Sequence, residues 1–125
     1  MSETAKPEID FPEGPPPADL EVIDLTEGDG REAAAGQTAV VHYVGVAYSS
    51  GEEFDASWNR GQSFEFALGG GQVIAGWDQG VVGMRVGGRR RLVIPPHLGY
   101  GDRGAGSVIP PGETLIFVVD LLDVR

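Results

Sequence analysis

The chain has no cysteine in its 125 residues. That excludes disulfides, a thiolate nucleophile and any cysteine-ligated metal centre. Histidine is limited to His42 and His97, so a zinc site would need carboxylate ligands, and no HExxH-type spacing is present. Basic residues are scarce: 9 Lys and Arg stand against 19 Asp and Glu, for a net charge of −10. Phosphate binding needs a basic surface, so nucleic acid is not expected as a partner, and docking on anionic membranes is disfavoured for the same reason. No apolar run approaches the ~20 residues of a membrane span. The opening "MSETAKPEIDFPEGPPP" lacks the charged-then-apolar layout of a signal peptide, and a cytoplasmic protein is expected. The length fits one domain with a core that needs no staples, and no internal repeat is visible.

Residues 1–18 read as an acidic, proline-rich tail. Pro7, Pro12, Pro15, Pro16 and Pro17 accompany Glu3, Glu8, Asp10 and Glu13 against the single Lys6. Such a composition buries too little apolar surface to order itself, and the proline run favours an extended polyproline segment. The expected globular part is 19–125. "LEVIDL" (20–25) reads as a strand, followed by the turn "EGDGRE" (27–32), which lacks the ligand spacing of an EF-hand loop. "TAVVHYVGVAY" (38–48) is a long strand by its β-branched and aromatic content. "SFEFAL" (63–68) puts Phe64, Phe66 and Leu68 on one face. In "VIAGWDQGVVGMRVGG" (73–88), Val73, Ile74, Trp77 and Val81 share one face of a period of about 3.6 residues, which predicts one short helix over that stretch. Its glycines, Gly76 and Gly80, each cost a helix about 1 kcal/mol relative to alanine. The cost makes sense where something approaches the backbone closely. "RRRLVIPP" (89–96) is a strand whose alternation places Arg89 and Arg91 toward solvent and Arg90 inward, at the rim. "TLIFVVDLLDV" (114–124) is apolar on both faces and is expected to be central in the sheet. Between these two strands, 97–113 is a long Gly/Pro loop carrying Tyr100, Val108 and Ile109, of the kind that folds over a site. The sum is an α+β fold, a curved antiparallel sheet packed on a helix.

Catalytic sets are missing. Ser49, Ser50, Ser57, Ser63 and Ser107 lie in turns or at strand ends, none in a GxSxG elbow. The glycine run 69–71 has neither a GKS/T ending nor GxGxxG spacing. Glu52, Glu53 and Asp55 form a small carboxylate group. Asp55 suits a general acid or base, but Arg60, across a predicted turn, offers a structural ion pair equally well. What remains is aromatic: Tyr43, Phe54, Phe64, Phe66, Trp77, Tyr100 and Phe117. Any one of them could be plain core. As a set they fit an apolar pocket with a few polar tips, because buried Tyr and Trp need partners for their polar atoms and Tyr100 sits in a glycine-flanked loop.

"VVHYVG" (40–45), "FDAS" (54–57), "FEFALG" (64–69), "VIAGWDQGV" (73–81), "GYG" (99–101) and "VIPPGETLIFVVDLL" (108–122) resemble, in order and spacing, the FKBP-type peptidyl-prolyl cis-trans isomerases, the macrolide-binding immunophilins. The resemblance covers about residues 20–125. It implies a half-open antiparallel sheet of about five to six strands wrapped round one short α-helix, with the pocket between helix and sheet. By motif, Trp77 is the floor that receives a proline ring. Tyr43, Phe54, Phe64, Val73, Ile74 and Phe117 are walls, while Tyr100, Val108 and Ile109 come from the long loop. The N–H of Ile74 and the hydroxyl of Tyr100 are the implied donors to substrate carbonyls, and Asp55, held by Arg60, is the polar element at the rim. Departures are Ala105, where a histidine is often found, and Arg90, where a small residue is common. The implied activity is rotation about X-Pro bonds without covalent catalysis, metal or cofactor, in a monomer. The implied partners are proline-containing peptides, unfolded or partly folded proteins, and macrolides such as rapamycin and tacrolimus. A binding module that holds proline segments but turns over poorly is the second reading.

Overall fold

The computed structural model describes Pro7, Ile9, residues 14–105 and residues 109–125. Six strands form one antiparallel sheet: β1 (Glu21–Thr26), β2 (Thr38–Ala47), β3 (Glu53–Ala56), β4 (Phe64–Ala67), β5 (Arg89–Ile94) and β6 (Leu115–Val124). Their order is β1-β5-β6-β2-β3, with β4 also paired to β2 beside β3. A single-turn helix, α1 (Ser57–Arg60), follows β3, and α2 (Ala75–Gly80) lies between β4 and β5. The expected α+β class and the central place of the last strand both hold: β6 pairs β5 on one side and β2 on the other.

Period-two alternation sends Val41 and Tyr43 of β2, Leu92 and Ile94 of β5, and Leu115, Phe117, Val119 and Leu121 of β6 to one face, where they form the main core with Trp77, Val81 and Met84. On the opposite face Val46, Val93 and Ile116 make a second cluster, with Ile9 and Tyr48 packed against it. The Tyr48 hydroxyl donates to the carbonyls of Gly14 and Pro15, at 3.2 Å each.

The helix is shorter than its apolar period predicts. α2 has six residues instead of spanning 73–88. Ile74, just before it, is extended at φ −61°, ψ 151°. Beyond it, Gly83 and Gly87 take φ of +94° and +93°, values that end a right-handed helix and favour glycine. The apolar face is nonetheless continuous, because Trp77 and Val81 are buried and Val73 and Ile74 pack beside them. Arg89 also departs from expectation. It is not toward solvent but paired with its cross-strand neighbour Asp120 (Nε–Oδ1 2.6 Å, Nη2–Oδ2 2.9 Å). The fork geometry satisfies both charges, and the pair is only 13% and 4% exposed.

What seats α2 on the sheet is the absence of two side chains. A Cβ on Gly76 would lie 2.5 Å from Ile94 Cγ2, and one on Gly80 would lie 2.7 Å from Leu92 Cδ2. Gly76→Ala should therefore lose stability, by about 1–2 kcal/mol, because overpacking outweighs the gain in helix propensity. Urea unfolding checks this. A raised midpoint, as at an exposed helical glycine, would contradict the close contact.

Candidate functional site

A cavity of about 200 Å³ opens between α2 and the sheet. Its floor is Trp77, which is 4% exposed. Three rings meet the indole edge-to-face: Tyr43 at 4.9 Å, Phe117 at 5.2 Å and Phe64 at 6.0 Å between centroids. Such T-shaped pairs match ring edges to ring faces, so the rings fix one another's orientation. Phe54 packs on Phe117 at 5.5 Å and 89°. This contact needs Gly45, where a Cβ would lie 2.6 Å from Phe117 and 2.7 Å from Phe54. Val73, Ile74, Gln72, Asp55 and Tyr100 complete the lining.

The expectation that buried Tyr and Trp find partners is met by one and not the other. The Tyr43 hydroxyl donates to Asp55 Oδ2 at 2.6 Å and accepts from Arg60 Nη2 at 2.9 Å. The indole N–H of Trp77 has no partner among the described residues. Arg60 Nη1 closes the triangle on Asp55 Oδ1 at 2.7 Å, so the predicted pair Asp55–Arg60 forms and includes Tyr43 as well. α1 makes this possible: its single turn carries Arg60 back over the end of β3, and Gly61, at φ +65°, ends it. Burial pushes the Tyr43 hydroxyl up, and its bond to Asp55 pushes it further. Burial alone would raise Asp55, but the bonds from Tyr43 and Arg60 outweigh it and hold the carboxyl below its usual range. Tyr100 is also raised, by burial first and then by the Asp55 charge. At neutral pH the rim therefore holds a carboxylate, a guanidinium and two neutral phenols.

Family comparison agrees with this arrangement. The profile described as FKBP-type peptidyl-prolyl cis-trans isomerase matches residues 29–122. The chain belongs to that family. It is 71% identical over 120 residues to an FK506-binding protein of Streptomyces anulatus, covering 95% of this chain and 97% of that one. It is 51% identical over 117 residues to a probable FK506-binding protein of Corynebacterium glutamicum, covering 94% and 97%. Among solved structures, the crystal structure of AtFKBP13 superposes with a TM-score of 0.80 at 41% identity, over 88% of this chain and 96% of that one. FkpA from Escherichia coli matches with a TM-score of 0.77 at 42% identity, over 85% of this chain and 48% of that one. The protein is an FKBP-type isomerase, and its reaction is the cis-trans rotation of X-Pro bonds.

Of the isomerase's predicted site residues, Tyr43, Phe54, Asp55, Phe64, Val73, Ile74, Trp77, Tyr100 and Phe117 come together around the cavity. Arg60 reaches it through Tyr43 and Asp55. Ile109 does not line it. It is 3% exposed within the core, its backbone bonded both ways to Ala105 at 2.8 and 3.1 Å. Val108 and Ser107 lie outside the described residues. Sequence reasoning missed Gln72, Gly45 and Asp78. Gln72 Oε1 accepts from Ala67 N at 2.8 Å. The Asp78 carboxylate accepts from Gly69 N at 2.8 Å and Gly71 N at 3.0 Å, tying the glycine turn to α2. A lone glycine in a strand is the one signal that could have flagged Gly45, since it marks close approach by a neighbour. His42 and Ser57 do meet, at 2.7 Å. Ser57 Oγ also accepts from Tyr43 N, while His42 stacks on Trp58, so the pair braces α1 against β2 and offers no nucleophile to the cavity.

The Asp55 carboxyl lies below its unfolded value of 3.8. Its stabilisation is therefore complete above that pH and is lost as pH falls through the folded value. The stability difference between wild type and Asp55→Asn should shrink from pH 7 to pH 3. It should stay under about 1 kcal/mol, because the pair is close to half exposed. Urea unfolding at the two pH values checks this, and a difference that widens in acid would refute the assignment.

Proposed function

We propose that the cavity above Trp77 receives the proline ring of an X-Pro segment, and that rotation is catalysed there by shape and desolvation with no proton transfer. The observation that carries the reading is an aromatic floor and walls around a cavity at whose rim Tyr43, Asp55 and Arg60 are tied to one another.

Rotation about an X-Pro bond meets a barrier of ~20 kcal/mol because it breaks amide resonance. No bond to carbon need break, so the protein has only to bind the twisted amide better than either planar form. The twisted amide has lost charge separation, which a dry apolar pocket favours over water. Tyr43, Phe54, Phe64, Val73, Ile74 and Phe117 hold the ring against Trp77, while the segment N-terminal to proline turns. Two donors suit the flanking carbonyls. Ile74 precedes α2 in extended form, so its N–H falls outside the helix's own bonding. The Tyr100 hydroxyl, on a residue 40% exposed at the cavity mouth, is the donor to the rotating carbonyl. Asp55 and Arg60 position Tyr43 and set the rim field. In this reading Ile109 supports the loop that carries Tyr100.

Macrolides such as rapamycin and tacrolimus fit the same cavity. The printed names of the relatives, FK506-binding proteins, support that ligand class here. Proline-containing peptides and unfolded or partly folded proteins are the proposed substrates, and assistance to folding is the proposed role. The site is complete within one chain, which supports a monomer. The division into an acidic, proline-rich tail (1–18) and an isomerase domain (19–125), and a cytoplasmic setting, belong to the same proposal.

Exchange NMR on a short Leu-Pro peptide tests it. Wild type should accelerate exchange, rapamycin should abolish the acceleration, and Trp77→Ala should lower kcat/KM by at least about tenfold. Rapamycin binding without acceleration would instead favour the proline-binding module.

A further inference from the structure

We infer that Arg90 is a positioning residue for the isomerase site, clamping the C-terminal end of α2 and so setting the seat of Trp77. The inference rests on the site described above, but its geometry is separate from the cavity lining.

A helix of six residues cannot hold itself together; its tertiary contacts must. The last carbonyls of any helix lack internal partners and carry partial negative charge. α2 has no basic residue in its own last turn. The missing cation comes from β5: Arg90 Nη1 donates to the carbonyl of Gly80 at 2.8 Å and to that of Val82 at 3.1 Å. The rest of the guanidinium is braced by β1. Nε donates to Asp24 Oδ1 at 2.7 Å, and Nη2 donates to Asp24 Oδ2 at 3.4 Å. Asp24 lies directly across the β1–β5 pairing from Arg90. The Arg90 side chain is 12% exposed and that of Asp24 39%, so the bond to Gly80 is the more shielded end of the clamp.

β5 thus supports α2 at three successive inward positions. Ile94 lies under Gly76, Leu92 under Gly80, and Arg90 at the carbonyls that follow. The two glycines let the helix down onto the strand, but at those two contacts neither carries a side chain to interlock with it. The guanidinium supplies the directional contact that the glycines cannot. Trp77 sits between Gly76 and Gly80, so a tilt of α2 moves the cavity floor. Lysine could keep a cation at the carbonyls but not the fork that grips them and Asp24 together.

The test compares Arg90→Gln, Arg90→Lys and Asp24→Asn in the full chain, with Val124→Ala as a control for stability lost elsewhere in the core. Readouts are kcat and KM on a Leu-Pro peptide and the indole N–H resonance of Trp77. Arg90→Gln should shift that resonance and lower kcat/KM by about tenfold, within the ~100-fold that a misplacement of about 1 Å can cost. Arg90→Lys should recover part of the loss, and Asp24→Asn should shift the resonance in the same direction. Val124→Ala, although destabilised, should leave both readouts unchanged. The inference is overturned if folded Arg90→Gln keeps the wild-type resonance and kcat/KM, or if Val124→Ala reproduces its losses. Should Arg90→Gln fail to fold, an unchanged Trp77 resonance in Asp24→Asn overturns it as well. An inactive wild type would count against the isomerase site alone, since the Trp77 resonance still reads the clamp.

Discussion

Direct contact between α2 and β5, through the bare backbone of Gly76 and Gly80, is the constraint on which the rest depends. It puts the helix so close to the sheet that Trp77 enters the ring cluster edge-on to Tyr43 and Phe117. A larger residue at either glycine would lift the helix, and the indole would rise into the space the cavity occupies. The same closeness explains why so short a helix persists. Its stability comes from packing against Leu92 and Ile94 and from cross-element hydrogen bonds, not from its own few turns.

The polar rim solves a second problem. A tyrosine in the wall of an apolar pocket must dispose of its hydroxyl. Tyr43 does so within a closed set, donating to Asp55 and accepting from Arg60, while Arg60 also grips Asp55. Each group satisfies the others, so the charge at the pocket is held within the set, and the remaining rim phenol, Tyr100, stays neutral. That suits a reaction in which the transition state is less polar than the ground state. The N–H of Trp77, which has no partner among the described residues, is the exception.

Much of this was legible in the residues. Alternation located the strands, the two-sided apolar character of 114–124 marked the sheet's centre, and Trp77 with its flanking glycines marked the close approach. Boundaries were less so. A helical period runs through Val73, Ile74, Trp77 and Val81, yet Ile74 is extended and the helix stops at Gly80, because periodicity reports which side chains face the core and not how the backbone gets them there. Arg89 was misplaced because alternation assigns a face but not a neighbour, and Asp120 lies far off in sequence. Ile109, expected at the site from the long loop, packs in the core, since burial and ligand contact draw on the same residue types. Gly45 is flagged only as a lone glycine within a strand, while Asp78 acts through contacts to the glycine turn, for which its own helix gives no signal.

The central claim is that rotation here needs no proton transfer, and a pH–rate profile of kcat/KM taken in H₂O and in D₂O tests it most directly. Asp55 is held ionised and both pocket tyrosines are held neutral. The account therefore predicts a flat profile from about pH 6 to about pH 9, with a solvent isotope effect near one. A bell-shaped profile, or a rate halved in D₂O, would show that a proton moves in the transition state and would contradict it.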